Sequence, residues 1–456
     1  MPQADLVILG GGSGGYACAL RAAELGKSVI LIDADKLGGT CLHRGCIPTK
    51  ALLHAAEVAD ATRESEAFGV NATFEGIDMP QVNKYRDGVV GRLYKGLQGL
   101  IKSRGVTLVE GYGRMVGPKT IEVNGEQYTG ENLVLATGSY ARTLPGLEIG
   151  GLIMTSDQAL TLDYVPPKVI VLGGGVIGVE FASVWRSFGS QVRIIEGLPR
   201  LVPNEDEACS KALERAFKKR GIELSLGVRF ASATQDDSGV HVTLEDGTTF
   251  DADLLLVAVG RGPKTEGMGY QEQGIAMDRG WVLVDERLQT NLPGVYAVGD
   301  ITPGLQLAHR GFQHGIFVAE EIGGLDPMPI PDVNIPRVTY CEPEVASVGL
   351  TEAEAIEQHG KDAITAFEYN LGGNGKSQIL GTAGFIKLVQ LIDGPVIGVH
   401  MVGSRMGEQI GEAQLIVNWE AHPTDVATLI HAHPTQNEAM GEAHLALAGK
   451  PLHAHA

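Results

Sequence analysis

The 456-residue chain carries 55 acidic against 36 basic residues, a formal net charge of −19, which argues against a nucleic-acid or anionic-membrane surface as its working face. A hydrophobic fraction of 44% and 62 glycines suit an α/β protein with many tight turns, and the length allows roughly three domains. Five cysteines (Cys18, Cys41, Cys46, Cys209, Cys341) are too few for a secreted disulfide framework, so a reducing, cytoplasmic setting is expected, with no leader before a first strand at about Ala4 and no apolar run of bilayer-spanning length.

The N-terminal run DLVILGGGSGGYACALRAAELGKSVILID reads as strand, glycine turn, helix, strand, with Gly10, Gly12 and Gly15 as GxGxxG and Asp33 closing the second strand. Such glycines let the backbone approach a pyrophosphate, the helix N-terminus faces its charge, and the acid accepts ribose hydroxyls. A lone GxGxxG also marks plain turns; the preceding strand and the placed acid make this one specific.

GGTCLHRGCIPTK follows, with Cys41 and Cys46 separated by four residues. On an ideal helix that spacing rises ~7.5 Å, beyond the ~4.4–6.8 Å window for bridged alpha carbons, so a disulfide here needs a distorted helix entrance. Gly38, Gly39 and Gly45 allow one, and Pro48 suits a first helical turn. Cys46 is then expected at a helix N-terminus, where the dipole favours the thiolate, and a short strained loop makes a reducible bridge. Two other readings are a zinc half-site, for which no second cysteine pair supplies the missing ligands, and two unrelated buried thiols. Cys18, Cys209 and Cys341 read as structural.

Farther on, Val82, Tyr85, Val89, Leu93, Leu97 and Leu100 follow helical spacing and are expected to pack against the core. Gly88, Gly91, Gly96 and Gly99 on the same helix either permit a close helix contact or are simply tolerated. Asn124-Gly125 signals a hairpin, and LVLATG a strand ending at Gly138. The plan then repeats in KVIVLGGGVIGVEFASVWRSFGSQVRIIE, which pairs Gly173 with Gly10, Gly189 with Gly26 and Glu196 with Asp33 at one constant offset. This unit has its own hairpin signal, Asp246-Gly247, and its own strand, LLLVAVG, ending at Gly260. Both glycines fall at the strand edge where ligands sit in open α/β sheets. Two such units imply two dinucleotides. Glu196 favours a free ribose over a ribose phosphate, hence NAD over NADP, with Arg200 the one cation nearby.

TNLPGVYAVGD delivers Asp300 at a strand end, before a helix expected from about Ala308. Asp300 reads either as a cap or as a ligand for a flavin's sugar-alcohol chain, with the helix N-terminus facing the ring. From about Ile335, strands (Val338 to Cys341, Phe385 to Val389, Val396 to Val402, turning at Asp393-Gly394) mix with helices and carry no nucleotide loop, which suits a dimer-interface domain. Six histidines (His422, His431, His433, His444, His453, His455) crowd the C-terminal end. A solvated or metal-binding tail is one reading of them. The other is specific to His433, whose carboxylate five residues later, Glu438, would steer the imidazole toward near-neutral base chemistry. The terminal HAHA is expected to be flexible. Lys50 and Glu180 read as an ion pair, either commonplace or at the edge of a redox site.

The motifs GGTCLHRGCIPTK, GGGVIGVE, TNLPGVYAVGD and HAHPTQNEAMGEA occur in the order found in the pyridine nucleotide-disulfide oxidoreductases. The chain resembles that family over essentially its full length, and most of all its members that oxidise dihydrolipoamide. The resemblance implies an α/β fold with two Rossmann-like dinucleotide-binding domains, for FAD and NAD, and a C-terminal α+β dimerisation domain. The implied divisions are 1–145 (FAD-binding, with the redox disulfide), 146–265 (NAD-binding), 266–334 (a central FAD-contacting segment) and 335–456 (interface). It implies Cys41 as the thiol exchanging with substrate, Cys46 as the thiol against the flavin, and Lys50 near the flavin ring paired with Glu180. It further implies His433, oriented by Glu438, as the acid/base that reaches the flavin site of the other subunit in a homodimer. FAD contacts are implied at Gly10, Gly12, Ser13, Gly14, Gly15, Asp33, Thr40, Lys50, Gly113, Thr137, Gly138, Ser139, Asp300, Leu307, Ala308 and His309. NAD contacts are implied at Gly173, Gly175, Val176, Ile177, Gly178, Glu180, Glu196, Val228 and Gly260, and no metal is implied.

The implied activity is oxidation of protein-bound dihydrolipoamide to lipoamide with NAD+, for a 2-oxo acid dehydrogenase or glycine cleavage assembly, the lipoate arriving on a partner carrier. Asp33 departs from the family's usual glutamate, and Val176 stands where glutathione reductases place a tyrosine. That valine weakens a glutathione assignment, and the lack of any cysteine after Cys341 disfavours mercuric and large thioredoxin reductases. A glutathione-type disulfide reductase and a flavin-bearing assembly module are the alternatives; the complete set Cys41, Cys46, His433 and Glu438 speaks against the second.

Overall fold

The computed structural model describes residues 2–454. Strand Gln3–Leu9 pairs in parallel with Val29–Asp33, and helix Ser13–Glu24 makes the crossover between them. Parallel strands with crossover helices are buried on both faces, which is why both read as nearly unbroken apolar runs. Thr107–Glu110 and Glu126–Leu135 extend this sheet on either side, and the ribbon Gly113–Gly117 with Thr120–Val123 continues it antiparallel. The second unit repeats the core arrangement: Glu223–Leu226, Gln191–Glu196, Lys168–Leu172, Leu254–Val257 and Ile153–Thr155 lie side by side, all parallel. Here the antiparallel ribbon is a separate three-stranded sheet, Phe230–Asp236, Gly239–Leu244 and Thr249–Ala252.

The duplication extends to single contacts. Gly10 and Gly173 both take positive φ, 108° and 115°. A Cβ on Gly15 would collide with the Gly10 carbonyl, and one on Gly178 with the Gly173 carbonyl, so helix and strand approach as only glycine permits. Asp33 accepts the Gly11 N–H, as Glu196 accepts that of Gly174.

After the second unit the chain returns to the first sheet. Val295–Ala297 pairs in parallel with Leu133–Leu135, and Met268, Tyr270 and Val282 share a core with Val7, Leu9 and Ile32. Helix Ala308–Ile322, starting where expected, packs along Ser13–Glu24. Beyond it, Arg337–Thr339, Glu344–Gly349, Val396–Gly403, Phe385–Leu391 and Ile364–Asn370 form an antiparallel sheet in that spatial order, covered by helices Met406–Asn418 and Glu438–Leu447. Among the described residues no helix is long and apolar enough to cross a membrane.

Three expectations need correction. Helix Met79–Ser103 forms, but Tyr85, Leu93 and Leu100 of the expected core stripe are 41%, 47% and 50% exposed. Leu97 is buried as expected, but the rest of the buried face is Met79, Arg86 and Ile101, because the Arg86 guanidinium is satisfied by Asn83, Asp87 and the Leu160 carbonyl, which apolar spacing cannot reveal. The strand expected from Val338 to Cys341 is Arg337–Thr339, since the Tyr340 N–H leaves the ladder to donate to Glu180 at 2.9 Å. The first half of the HAHA end is held in place: the N–H and Nδ1 of His453 meet Glu442 at 3.0 and 2.9 Å, and Ala454 packs on the core beneath this last sheet. His455 lies outside the described residues.

Gly15→Ala is expected to destabilise the protein by about 1–3 kcal/mol, an overpacking cost. Gly91 has open space where a Cβ would go, so Gly91→Ala on the same scale is expected to stabilise by about 0.5–1 kcal/mol. Urea midpoints of the two variants, moving in opposite directions, check the pair.

Candidate active site

Four helices begin at one cavity. Ser13–Glu24, Cys46–Arg63, Val176–Phe188 and Ala308–Ile322 start after Gly12, Gly45, Gly175 and Leu307, none of which supplies a side-chain cap. Their first-turn N–H groups are therefore left for a ligand, and their positive dipole ends favour negative charge between them. The cavity is about 550 Å³, and residues opening all four helices line it. Every residue expected to contact FAD lies on its wall except Gly15, which is packed beneath Gly10. Of the residues expected to contact NAD, Val176, Ile177 and Glu180 reach the same wall. Glu196 and Val228 lie away from it, at the edge of the second sheet, where Glu196 accepts the N–H groups of Gly174 and Leu198 at 2.6 and 2.7 Å and Val228 donates to the Glu196 carbonyl at 3.2 Å. Gly173 and Gly175 lie in the turn before helix Val176–Phe188, Gly178 lies within that helix, and Gly260 follows strand Leu254–Val257.

The cysteine loop adopts the broken entrance its glycines allow. Cys41 lies in the short helix Gly39–Arg44, Gly45 interrupts, and Cys46 opens the long helix. Both cysteines line the cavity as free thiols. Hydrogen bonding from the neighbouring Cys41 thiol, more than any other influence, lowers Cys46 to about 7; burial opposes and the Lys50 charge assists. The same bond, with burial, pushes Cys41 up. The pair thus loses its first proton near neutrality, and the charge rests on Cys46. Cys18, Cys209 and Cys341 are buried, and burial raises all three thiols.

Lys50, one turn into the helix, reaches both oxygens of Glu180 at 2.9 Å. Burial works against the Lys50 charge, but Glu180 outweighs it and holds the ammonium above its usual range. Glu180 is 3% exposed and also accepts the Tyr340 N–H; the Tyr340 ring centroid is 4.7 Å from Lys50 Nζ. Tyr340 carried no motif and was not expected in the site. Arg261 was missed as well: its guanidinium binds Ser139 Oγ and O at 2.8 and 3.0 Å, and Ser139 Oγ donates to Asp300 Oδ2 at 2.6 Å. Asp300 thus lies on the cavity wall in the turn Gly299–Ile301, outside the helix that follows. The one sequence signal for Arg261 was its place directly after the strand-edge glycine.

His433 and Glu438 form their pair away from this cavity. His433 Nδ1 is 2.7 Å from Glu438 Oε1, and Glu438 Oε2 accepts the Thr435 N–H at 2.8 Å. Burial raises the Glu438 carboxyl, but the Thr435 N–H and His433 together hold it below its usual range. The His433 side chain is 77% exposed, which leaves Nε2 free to meet something outside its own protomer.

The family model for pyridine nucleotide-disulphide oxidoreductases matches residues 4–315, and that family's dimerisation domain matches residues 335–444. The chain is 40% identical to a dihydrolipoyl dehydrogenase of Bacillus subtilis over 98% of its own length and 99% of the relative's. It is 38% identical to that of Thermus scotoductus, covering 99% of each, and 37% identical to the mitochondrial enzyme of Pisum sativum, covering 98% of this chain and 92% of that one. Among solved structures, LpdA of Mycobacterium tuberculosis superposes with a TM-score of 0.90 at 27% identity, covering 98% of this chain and 100% of that one. A HOCl-induced flavoprotein disulfide reductase of Escherichia coli gives 0.86 at 25%, covering 96% and 99%.

In the reduced protein, alkylation of Cys46 followed by mass spectrometry is expected to titrate with a midpoint near 7. Lys50→Met removes a stabilising cation, so the midpoint should rise, and alkylation at neutral pH should slow by about 10-fold for each unit of that rise. An unchanged midpoint would contradict the part given to Lys50.

Proposed function

The chain belongs to the pyridine nucleotide-disulphide oxidoreductase family, and we propose that it acts as a dihydrolipoyl dehydrogenase, oxidising carrier-bound dihydrolipoamide with NAD+ as the acceptor. The observation that carries this reading is the position of Cys46: a thiol lowered to about 7, at an uncapped helix N-terminus, beside the Lys50–Glu180 pair in a dinucleotide-sized cavity. The cofactors are FAD and NAD. FAD suits the cavity between the uncapped helices, with the Gly12–Gly14 turn at its diphosphate and Asp300 at its polyol; NAD suits the second glycine turn, with Glu196 at its ribose. FAD, when bound, supplies the two-electron relay between the dithiol and the pyridine nucleotide.

The chain's own residues account for the sulfur chemistry. His433 of the partner subunit takes a proton from one substrate thiol through Nε2, and Glu438 balances the imidazolium. The substrate thiolate attacks Cys41 Sγ in the Cys41–Cys46 disulfide, forming a mixed disulfide and expelling Cys46 as thiolate. A low pKa makes Cys46 the better leaving group. The second substrate thiol then loses its proton to solvent and closes the lipoamide disulfide, releasing Cys41, which regains its proton from the imidazolium while Cys46 stays thiolate. The substrate has lost two electrons, and the protein holds them as a dithiol.

The C-terminal domain is of the dimerisation type, and we read 1–145 with 266–334 as one flavin unit, 146–265 as the NAD unit and 335–456 as the dimer unit. The return of Val295–Ala297 to the first sheet supports grouping the first two segments. The finer partner is a lipoylated carrier of a 2-oxo acid dehydrogenase or glycine cleavage assembly, and a cytoplasmic setting matches a cysteine pair that must cycle through its reduced form.

The test is NADH formation by the FAD-loaded dimer with free dihydrolipoamide and with lipoylated carrier proteins. Turnover should require NAD+ in preference to NADP+. His433→Gln should lower it by about 10²–10⁴-fold, and Cys41→Ser or Cys46→Ser should abolish it while FAD is retained. Reduction of glutathione disulfide in place of lipoamide would make the protein a glutathione-type reductase; no disulfide turnover at all would leave only an assembly module.

A further inference from the structure

Two histidines flank Ala432, each with its own carboxylate, and only one faces outward. The His431 side chain is 11% exposed, and its Nε2 lies 2.8 Å from Glu412 Oε1 on helix Met406–Asn418. The second oxygen of Glu412 accepts from Asn437 Nδ2, directly before Glu438. On its other side, His431 packs against helix Glu438–Leu447 at Gly441, where an added Cβ would come within 2.6 Å of Nδ1. Glycine inside a helix costs about 1 kcal/mol relative to alanine, and the imidazole occupies the space that alanine would need. The intervening loop is tied down as well: Asn374 Nδ2 donates to the Thr435 carbonyl at 3.0 Å, and Ser377 Oγ to Gln436 Oε1 at 2.8 Å.

We infer that Glu412 and His431 form a second carboxylate–imidazole dyad, a positioning dyad that fixes the loop carrying His433 and the helix entrance carrying Glu438. The inference rests on the reading of His433 as acid/base. Contact with Glu438 alone would leave the exposed His433 hinged at one point; Glu412 grips the segment on both sides, through His431 before His433 and through Asn437 after it.

The groups facing His431 are Glu412, Glu438 and His444. The Glu412 hydrogen bond raises the His431 imidazole above its ordinary value, burial opposes, and Glu438 assists. His444 is pushed down to about 4, chiefly by burial, and stays neutral. The ionic part of the dyad is therefore fully present below the ordinary imidazole range and is lost as pH rises through the raised value.

The experiment uses the FAD-loaded dimer with dihydrolipoamide and NAD+, in His431→Ala, Glu412→Gln, Gly441→Ala and His433→Gln. The first three should lower kcat by at least ~10-fold, as expected for a misplaced proton acceptor. The rate of flavin bleaching by NADH, which does not use His433, should stay at the wild-type value, as should the dimer mass. His431→Gln keeps an N–H where Nε2 donates, so it should recover most of kcat but lose the part of the pH profile set by titration of His431. Wild-type kcat in His431→Ala and Gly441→Ala, with His433→Gln inactive, overturns the positioning dyad and leaves the acid/base reading standing. Wild-type kcat in His433→Gln overturns both. Slowed NADH bleaching or lost dimer mass in the dyad variants would mark a general structural role and also overturn the inference.

Discussion

A single buried carboxylate, Glu180, joins three parts of the molecule that fold on separate sheets. It sits on the crossover helix of the second unit, pairs with Lys50 from the cysteine helix of the first, and accepts the N–H of Tyr340 from the start of the interface sheet. Taking a carboxylate out of water costs several kcal/mol unless it is paired and hydrogen-bonded, and Glu180 at 3% exposure meets that requirement only when all three parts are in place. The pair in turn fixes the ammonium that helps hold Cys46 near 7. Domain assembly and thiol chemistry are thus one electrostatic problem with one solution.

The same economy governs the cavity. A protein with a net charge of −19 presents a repulsive field to anions in general, yet this cavity is lined by uncapped helix ends and the Lys50 ammonium, with Arg261 close behind Ser139. Local dipoles act within about a turn of the helix, so they define a favourable place for a diphosphate without altering the surface as a whole. His433 is placed the opposite way: it faces outward, on a loop held from behind, rather than toward its own cavity.

Much of this was legible in the chain because the glycines carry geometric information. Gly15 and Gly178 mark where helix and strand touch, and Gly10 and Gly173 mark a left-handed turn, so the duplication could be read from spacing alone. The helix at Cys46 and the one at Ala308 were legible for the same reason, since glycine, proline and an apolar strand bracketed them. What could not be read were contacts that join distant segments. Arg86 is buried because an Asn83 side chain and the Leu160 carbonyl happen to meet it, which displaced the apparent apolar stripe of its helix. Tyr340 enters the site through a backbone N–H, which any residue type could provide. His431 and His453 looked like members of a histidine-rich tail until Glu412 and Glu442 were seen beside them.

The account turns on a Cys46 thiolate sharing a site with FAD, and anaerobic titration of the FAD-loaded dimer with NADH addresses that most directly. The first two electrons should produce a long-wavelength thiolate-to-flavin absorption band, present in the wild type and in Cys41→Ser but absent in Cys46→Ser. Flavin bleaching by those first two electrons with no such band, or a band that survives in Cys46→Ser, would contradict it.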